Sequence, residues 1–187
     1  MLYLLIAMAG CGQLRIVFAA YAEYFHAGPR LMGLAYLANT VTVVLAQLPV
    51  LRIARRWRRT HILAAASLMW ALTWLLAFIG GTWGHGNWTL PIIAAGVLAI
   101  GETLLAISMP ALVNDIAPED QRGRYNGSLS LGGTLGLLGA PLLTGVFLQA
   151  DALCGLLLVL TAGAMAIVIL CLRLEHRIPA AANHPKH

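Results

Sequence analysis

Six apolar stretches of about twenty residues each follow one another along this chain, and a helix of that length crosses the hydrocarbon core of a bilayer. Within lipid every backbone polar group must be paired inside its own helix or in a closed barrel. Barrel strands alternate apolar and polar residues over about ten positions, whereas these stretches are continuous. The sequence therefore predicts an all-α, polytopic membrane protein with six transmembrane helices. We place them at 2–21, 31–51, 61–79, 90–112, 128–148 and 153–172, in a bundle spanning 1–173, and we expect the polar tail 174–187 to be disordered.

The charged residues predict how these helices are oriented. They make up 10% of the chain, against about a quarter of a soluble domain. Ten Lys and Arg residues fall on one side of the predicted membrane, and Arg30 is the single one on the other side. Because basic residues favour the cytoplasmic side of a membrane, we expect both termini to face the cytoplasm. The expected location is the bacterial cytoplasmic membrane. Arginines between apolar stretches orient a chain in lipid, so we expect no nucleic-acid partner.

The sequence offers no recognisable catalytic, metal or cofactor site. Cys11, Cys154 and Cys171 lie inside apolar stretches without metal-ligand spacing, which is typical of small hydrophobic residues. No Ser or Cys has a His at an interpretable spacing, and no phosphate-binding loop occurs. We therefore expect neither an enzyme nor a bound cofactor or metal.

The first stretch begins at residue 2 without a basic leader. A signal peptide with its cleavage site at "AYA", 20–22, is an alternative interpretation. The missing leader disfavours it, as do Gln13 and Arg15 inside the stretch. A bare helix at the start also suggests a segment of something longer.

A polar island, "APEDQRGRYNG" at 117–127, interrupts the apolar sequence. It concentrates charge in a chain that has little, with Asp115 just before it. Its charged residues are Glu119, Asp120, Arg122 and Arg124. The predicted topology places the island on the same side of the membrane as the basic segment "RIARRWRRT" at 52–60.

The island leads into a glycine-rich pattern, "GRYNGSLSLGGTLGLLGAPLLTG". Its key positions are Gly127, Gly136, Ala140, Pro141, Thr144 and Gly145. Their spacing resembles the antiporter motif of the major facilitator superfamily, G-x8-G-x3-G-P-x2-G-G, with Ala140 and Thr144 in place of two glycines. In that family the motif lies in the fifth helix, and the eleventh helix is its counterpart by internal repeat.

Other segments resemble the same family. Residues 12–60 are similar to its seventh and eighth helices with the basic loop that follows them. Residues 100–127 are similar to its tenth helix and next loop, in the proton-coupled drug-efflux style. The family's basic loop motif includes an Asp and two glycines that "PVLRIARRWRR" lacks, although the arginines are kept. The resemblance covers nearly the whole chain and implies the C-terminal six-helix half of a twelve-helix transporter, built as two inverted three-helix repeats.

The resemblance also implies a role for the charges at the inner face. In such transporters, cytoplasmic loops between gating helices carry charge pairs that hold one face closed. Asp115 is then expected to pair with the basic segment. The alternatives left open are that Asp115 takes part in gating or that it lies in a solvated loop. For Glu119 and Asp120 we favour a solvated loop in which Pro118 starts a helix and Gly127 interrupts one. The candidate loop charges are Asp115, Arg122, Arg124, Arg55, Arg56, Arg58 and Arg59.

Glu102 is the candidate proton-coupling residue. A carboxylate in the middle of a transmembrane helix is costly and usually faces a cavity or a partner. Burial favours its neutral form, so it can bind and release a proton. The resemblance places this helix and the first one around a central cavity, which makes Arg15 its expected partner. A structural ion pair for Glu102 and snorkelling of Arg15 are the alternatives. Gln13 lies about 200° around the helix from Arg15, so both cannot face one site.

Two further helices carry candidate residues. Tyr36, Asn39, Thr42 and Gln47 form a polar stripe that faces either substrate or a neighbouring helix, and we favour helix packing. In the fifth helix a run of glycines, including Gly136, gives a smooth face for close packing. Pro141 in this helix and Pro110 in the fourth are expected to bend them.

The sequence thus predicts transmembrane transport by the C-terminal half of a secondary active transporter, with proton-coupled efflux of small molecules. The expected partners are membrane lipid, a missing N-terminal half or a second copy of the chain, and a small-molecule substrate with a proton. The alternatives are a membrane scaffold or interaction subunit without transport, an inactive fragment and, third, an intramembrane enzyme.

Overall fold

The computed structural model describes residues 13–54, 56–83 and 88–175, and side chains from Ile16 onward. The described chain forms α1 (Gln13–Tyr24), α2 (Gly28–Ala54), α3 (Arg59–Trp83), α4 (Thr89–Ile116), α5 (Arg122–Gln149) and α6 (Leu153–Glu175). A single 3-10 turn, Glu119–Gln121, precedes α5. The helices α2 to α6 are each long and apolar enough to cross a membrane. The prediction of an all-α, polytopic membrane protein is confirmed.

The described helices extend beyond the apolar stretches that predicted them. Asp115 follows the fourth apolar stretch and is still part of α4. Arg122 precedes the fifth apolar stretch and is already part of α5. An apolar stretch marks only the part of a helix that lies in hydrocarbon, and polar residues continue the same backbone hydrogen bonding outside it. The prediction that Gly127 interrupts a helix is wrong, since it lies inside α5. Likewise α6 continues to Glu175, two residues past the predicted bundle, while 176–187 fall outside the described residues.

Short turns join the helices. Between α1 and α2, His26 and Gly28 both have positive φ, 52° and 71°. Glycine adopts this conformation without steric cost, which suits it to the first position of α2. Pro29 follows in the first turn, where its missing N–H needs no partner. Asp151 has φ 52° in the tight turn from α5 to α6.

Helix α3 lies at the centre of the packing. It contacts α4 and α6, and α4 in turn contacts α2. Trp70 and Trp74 of α3 are fully buried, and the ring of Phe18 from α1 lies 6.3 Å from that of Trp74. A Cβ added to Gly101 of α4 would lie only 2.6 Å from Trp70 Nε1. Glycine at that position therefore allows α3 and α4 to approach closely.

Helices α2 and α5 contribute little to this core. Over their most apolar segments 11% of α2 and 17% of α5 is buried, against 56% of α3. Each presents a row of large aliphatic side chains outward. On α2 these are Leu34, Leu37, Val41, Val44, Leu45 and Leu48, and on α5 Leu131, Leu135, Leu137, Leu138, Leu142 and Val146. Such faces are suited to lipid or to another helical surface.

Candidate functional site

The Glu102 carboxylate lies midway along α4 and is partly buried. The side chain of Asn39 on α2 lies close to it. The amide nitrogen Nδ2 of Asn39 donates to the backbone oxygen of Ala95, 3.3 Å away and about two turns earlier on α4. Asn39 thus connects α2 to α4 at the level of the one acidic side chain in the middle of these helices.

The other residues of the α2 polar stripe divide between two environments. Thr42 also faces α4, because a Cβ added to Gly96 would lie 3.2 Å from its Oγ1. Tyr36 is partly buried and packs against the main core. Gln47 is exposed. Asn39 and Thr42 therefore lie at the α2–α4 contact, and Gln47 does not share their surroundings.

Arg15 and Gln13 are in the first described turn of α1. Their side chains fall outside the described part of the structure, so the expected pairing of Arg15 with Glu102 stays a prediction. The residue that the structure places beside Glu102 is Asn39, for which the sequence left substrate contact and helix packing as alternatives and favoured packing.

Two arginine–carboxylate ion pairs and one histidine–carboxylate contact cluster at one end of the bundle, which we call the basic end, where α3 begins and α4 and α6 finish. Arg59 Nη2 lies 2.6 Å from Asp115 Oδ2. His61 Nε2 lies 2.8 Å from Glu175 Oε2, and Arg58 pairs with the same carboxylate. The start of α3 is thereby joined to the ends of both α4 and α6.

Helix dipoles explain why this arrangement is favourable. Cations are disfavoured at a helix N-terminus and anions at a C-terminus. Arg58 and Arg59 stand at the start of α3, while Asp115 and Glu175 stand at the ends of α4 and α6. Antiparallel packing brings the arginines and the carboxylates together. Each charge then offsets the unfavourable interaction of the other with its own helix dipole. The sequence analysis missed Glu175 because it assigned this residue to the tail.

One local ion pair lies within the polar island. Glu119 and Arg122 are 3.8 Å apart across one turn, and both are exposed. Asp120, Arg124 and Arg56 are also exposed, while Arg55 falls outside the described residues. A second local contact joins the end of α4 to the start of α5, where Asn126 donates to Asn114 at 2.8 Å.

Some positions of the antiporter motif in α5 are buried, and others have open space beside them. Gly136, Ala140 and Thr144 recur every four residues and are the buried residues of this helix. A Cβ added to Gly127 or Gly145 would meet nothing within 4 Å among the described residues. The two positions at which the sequence departs from the antiporter motif are thus on the packed side. Pro141 and Pro110 lie inside α5 and α4, as the sequence placed them.

Within 13–54, 56–83 and 88–175, no three His, Cys, Asp or Glu side chains cluster closely enough to hold a metal ion. Glu102 with Asn39 lies within the bundle, and the ion pairs lie at its basic end.

Comparison with known proteins agrees with this arrangement of helices. The sequence model of the Major Facilitator Superfamily matches residues 1–187. A relative described as an uncharacterized MFS-type transporter, YttB of Bacillus subtilis (strain 168), is 23% identical over 168 residues. The match covers 90% of this chain and 42% of the relative, so the chain spans less than half the length of that relative. The chain is therefore a multi-pass membrane protein that belongs to the major facilitator superfamily.

Proposed function

We propose that this chain forms the C-terminal six-helix half of a secondary active transporter that exports small molecules in exchange for protons. The observation that carries the proposal is the partly buried Glu102 carboxylate in the middle of α4, beside Asn39 of α2, which bonds to the α4 backbone. An acidic side chain at this depth that is attached to a second helix can join protonation to helix movement.

The free energies of burying a charge and of forming a hydrogen bond to it support a proton-exchange role for Glu102. A charged carboxylate at the centre of a membrane helix costs at least about 2.5–3.5 kcal/mol. A hydrogen bond to a charged group returns about 1.5–3 kcal/mol. The two terms are of similar size, so neither the neutral nor the charged form of Glu102 is strongly excluded. A small change in surroundings, such as entry of substrate or water, can then decide between the two forms.

The basic end supplies the second part of the mechanism. We propose that the Arg59–Asp115 pair, and the pairs of Glu175 with Arg58 and His61, close this end while the opposite side is open. In the proposed topology this end faces the cytoplasm, in the bacterial cytoplasmic membrane. Opening toward the cytoplasm then requires the start of α3 to separate from the ends of α4 and α6, which breaks these pairs.

A partner for the exposed faces completes the proposal. Because the chain corresponds to 42% of its transporter relative, the substrate path is expected between this half and an N-terminal half, or between two copies of the chain. The outward row of α5 is the candidate contact surface. If neither partner is present, the alternative is a membrane scaffold without transport.

The test compares Glu102→Gln with Glu119→Gln in the complete transporter. Proteoliposomes that hold an acid-inside pH gradient are given ethidium from outside as a cationic test substrate, alongside a panel of neutral and anionic dyes, so that proton exit drives dye uptake. We expect Glu102→Gln to abolish pH-driven movement while the protein folds normally. Glu119→Gln removes an exposed carboxylate and should behave as wild type. Full activity of Glu102→Gln on a transported dye would remove Glu102 from the mechanism.

A further inference from the structure

The end of α2 and the start of α3 carry two kinds of arginine among the described residues. Arg58 and Arg59 pair with Glu175 and Asp115. Arg52 and Arg56 are exposed, and within the described residues neither has a carboxylate at ion-pair distance. These two charges therefore take no part in the ion pairs of the basic end.

An open groove lies beside these two arginines. It has a volume of about 490 Å³ and is lined by Arg52, Ile53, Arg56 and Trp57. The Trp57 side chain is 52% exposed. Two guanidinium groups can bind a phosphate through several charge-assisted hydrogen bonds. A tryptophan at the end of a membrane-spanning helix is typical of the headgroup level.

The surface next to the groove indicates what kind of anion it takes. Val41, Leu45 and Leu48 are exposed and precede Arg52 at spacings of eleven, seven and four residues, which places all four on one side of α2. A ligand seated on the arginines thus continues onto an exposed aliphatic surface that runs into the hydrocarbon. A free phosphate would use only the polar end of this surface, whereas a phospholipid would use both parts.

We propose that Arg52, Arg56 and Trp57 form a binding site for the headgroup of an anionic glycerophospholipid, whose acyl chains lie along Val41, Leu45 and Leu48 of α2. The phosphate of the lipid lies between the two guanidinium groups, and Trp57 borders the headgroup. The site is independent of the transport activity proposed above, because it includes neither Glu102 nor the ion pairs of the basic end.

Native mass spectrometry of the complete protein in detergent tests this site. Phosphatidylglycerol and phosphatidylcholine of identical acyl chains are titrated separately, and the dissociation constant of the first bound lipid is measured. Each arginine near an anionic headgroup contributes about one kcal/mol, so Arg52→Gln/Arg56→Gln should weaken phosphatidylglycerol binding roughly 30-fold. Binding of phosphatidylcholine should change little.

The matched control is Arg122→Gln/Arg124→Gln, which removes two exposed positive charges from the same end of the bundle. It should keep wild-type affinity for phosphatidylglycerol. Equal binding of the two lipids by the wild type, or equal losses in the two double variants, would overturn the proposal. Displacement of the lipid by millimolar inorganic phosphate would also overturn it, because it would show a site for a free anion.

Discussion

Arg59, the first residue of α3, and Asp115, near the end of α4, face each other with 2.6 Å between Nη2 and Oδ2. Their side chains are only 14% and 17% exposed. The Nε atom of Arg59 is buried with no hydrogen-bond partner among the described residues. A buried guanidinium that already lacks one partner depends strongly on the carboxylate that remains. This pair is therefore expected to hold α3 and α4 together at the basic end.

Replacing Asp115 tests that dependence. We expect Asp115→Asn to lower the free energy of unfolding by about 1–3 kcal/mol, because the Arg59 guanidinium loses its charged acceptor. Thermal unfolding in detergent, followed by intrinsic tryptophan fluorescence, measures the change. The exposed Glu119→Gln serves as control and should have little effect. Recovery of stability in the swapped pair Arg59→Asp/Asp115→Arg would show that the ion pair matters, and equal melting of all variants would show that it does not.

The close approach of α3 and α4 makes a separate prediction. In Gly101→Ala the added methyl group would lie 2.6 Å from Trp70 Nε1 and 3.0 Å from the backbone oxygen of Ala66. Overpacking of this kind costs about 1–3 kcal/mol, and the same fluorescence melt should detect it. Gly163→Ala in α6 is the control, since its Cβ would meet nothing within 4 Å of the described atoms. A melting temperature unchanged in Gly101→Ala would mean that Trp70 moves aside freely.

The contact between Asn39 and Glu102 predicts that the two residues act as a unit in transport. Asn39→Leu keeps the size of the side chain and removes the amide that donates to Ala95 and lies beside Glu102. We expect it to slow pH-driven dye movement by about tenfold or more, as for the loss of one charge-assisted hydrogen bond. Thr42→Val at the same helix contact is the control and should keep most of the transport. An equal loss in the two variants would mean that Asn39 contributes only helix packing.

The charge asymmetry of the loops predicts the orientation of the protein. Single cysteines at Asp120 and Asp151, at opposite ends of α5 and both exposed, are introduced after the three native cysteines are replaced by alanine. An impermeant maleimide added to intact cells should label Asp151→Cys and not Asp120→Cys, because Arg and Lys favour the cytoplasmic side. The reverse pattern would place the basic end outside the cell.

The outward aliphatic faces of α2 and α5 predict the behaviour of the chain when purified by itself. Such a half-transporter would turn Glu102 and its surroundings toward lipid or detergent, and a charge in hydrocarbon costs at least about 2.5–3.5 kcal/mol. We expect the isolated chain to be either a dimer or unstable in mild detergent. Light scattering corrected for bound detergent gives its mass. A stable monomer would contradict the half-transporter proposal, because the chain would then need no partner.

The sequence predicted the helices of this fold well, and the physical reason is the bilayer. Continuous apolar stretches in lipid allow little besides helices, so α2 to α6 followed directly from composition. The helix ends were harder, because residues such as Arg122 and Asp115 stay helical outside the hydrocarbon. The family resemblance rested on α5, where the structure buries three of the motif positions, Gly136, Ala140 and Thr144.

The contacts of the site were less accessible to sequence reasoning. Glu102 was identifiable by itself, since a carboxylate in the middle of an apolar helix needs an explanation. Its link to Asn39 depends on the rotation of α2 against α4, which no local pattern encodes. Glu175 was missed for a related reason. It stands in a polar segment at the end of α6, and only the packing of α6 against α3 places it beside Arg58 and His61.

The pairing of Glu175 with Arg58 spans 117 residues of sequence, and this separation has a consequence for biosynthesis. At about 5–20 residues per second, the ribosome delivers Glu175 roughly 6–23 seconds after Arg58. During that interval α3 has already entered the membrane with Arg58 and His61 awaiting their acceptor. The carboxylate arrives with the final residue of α6, so the start of α3 is joined to α6 only after all of α6 has been made.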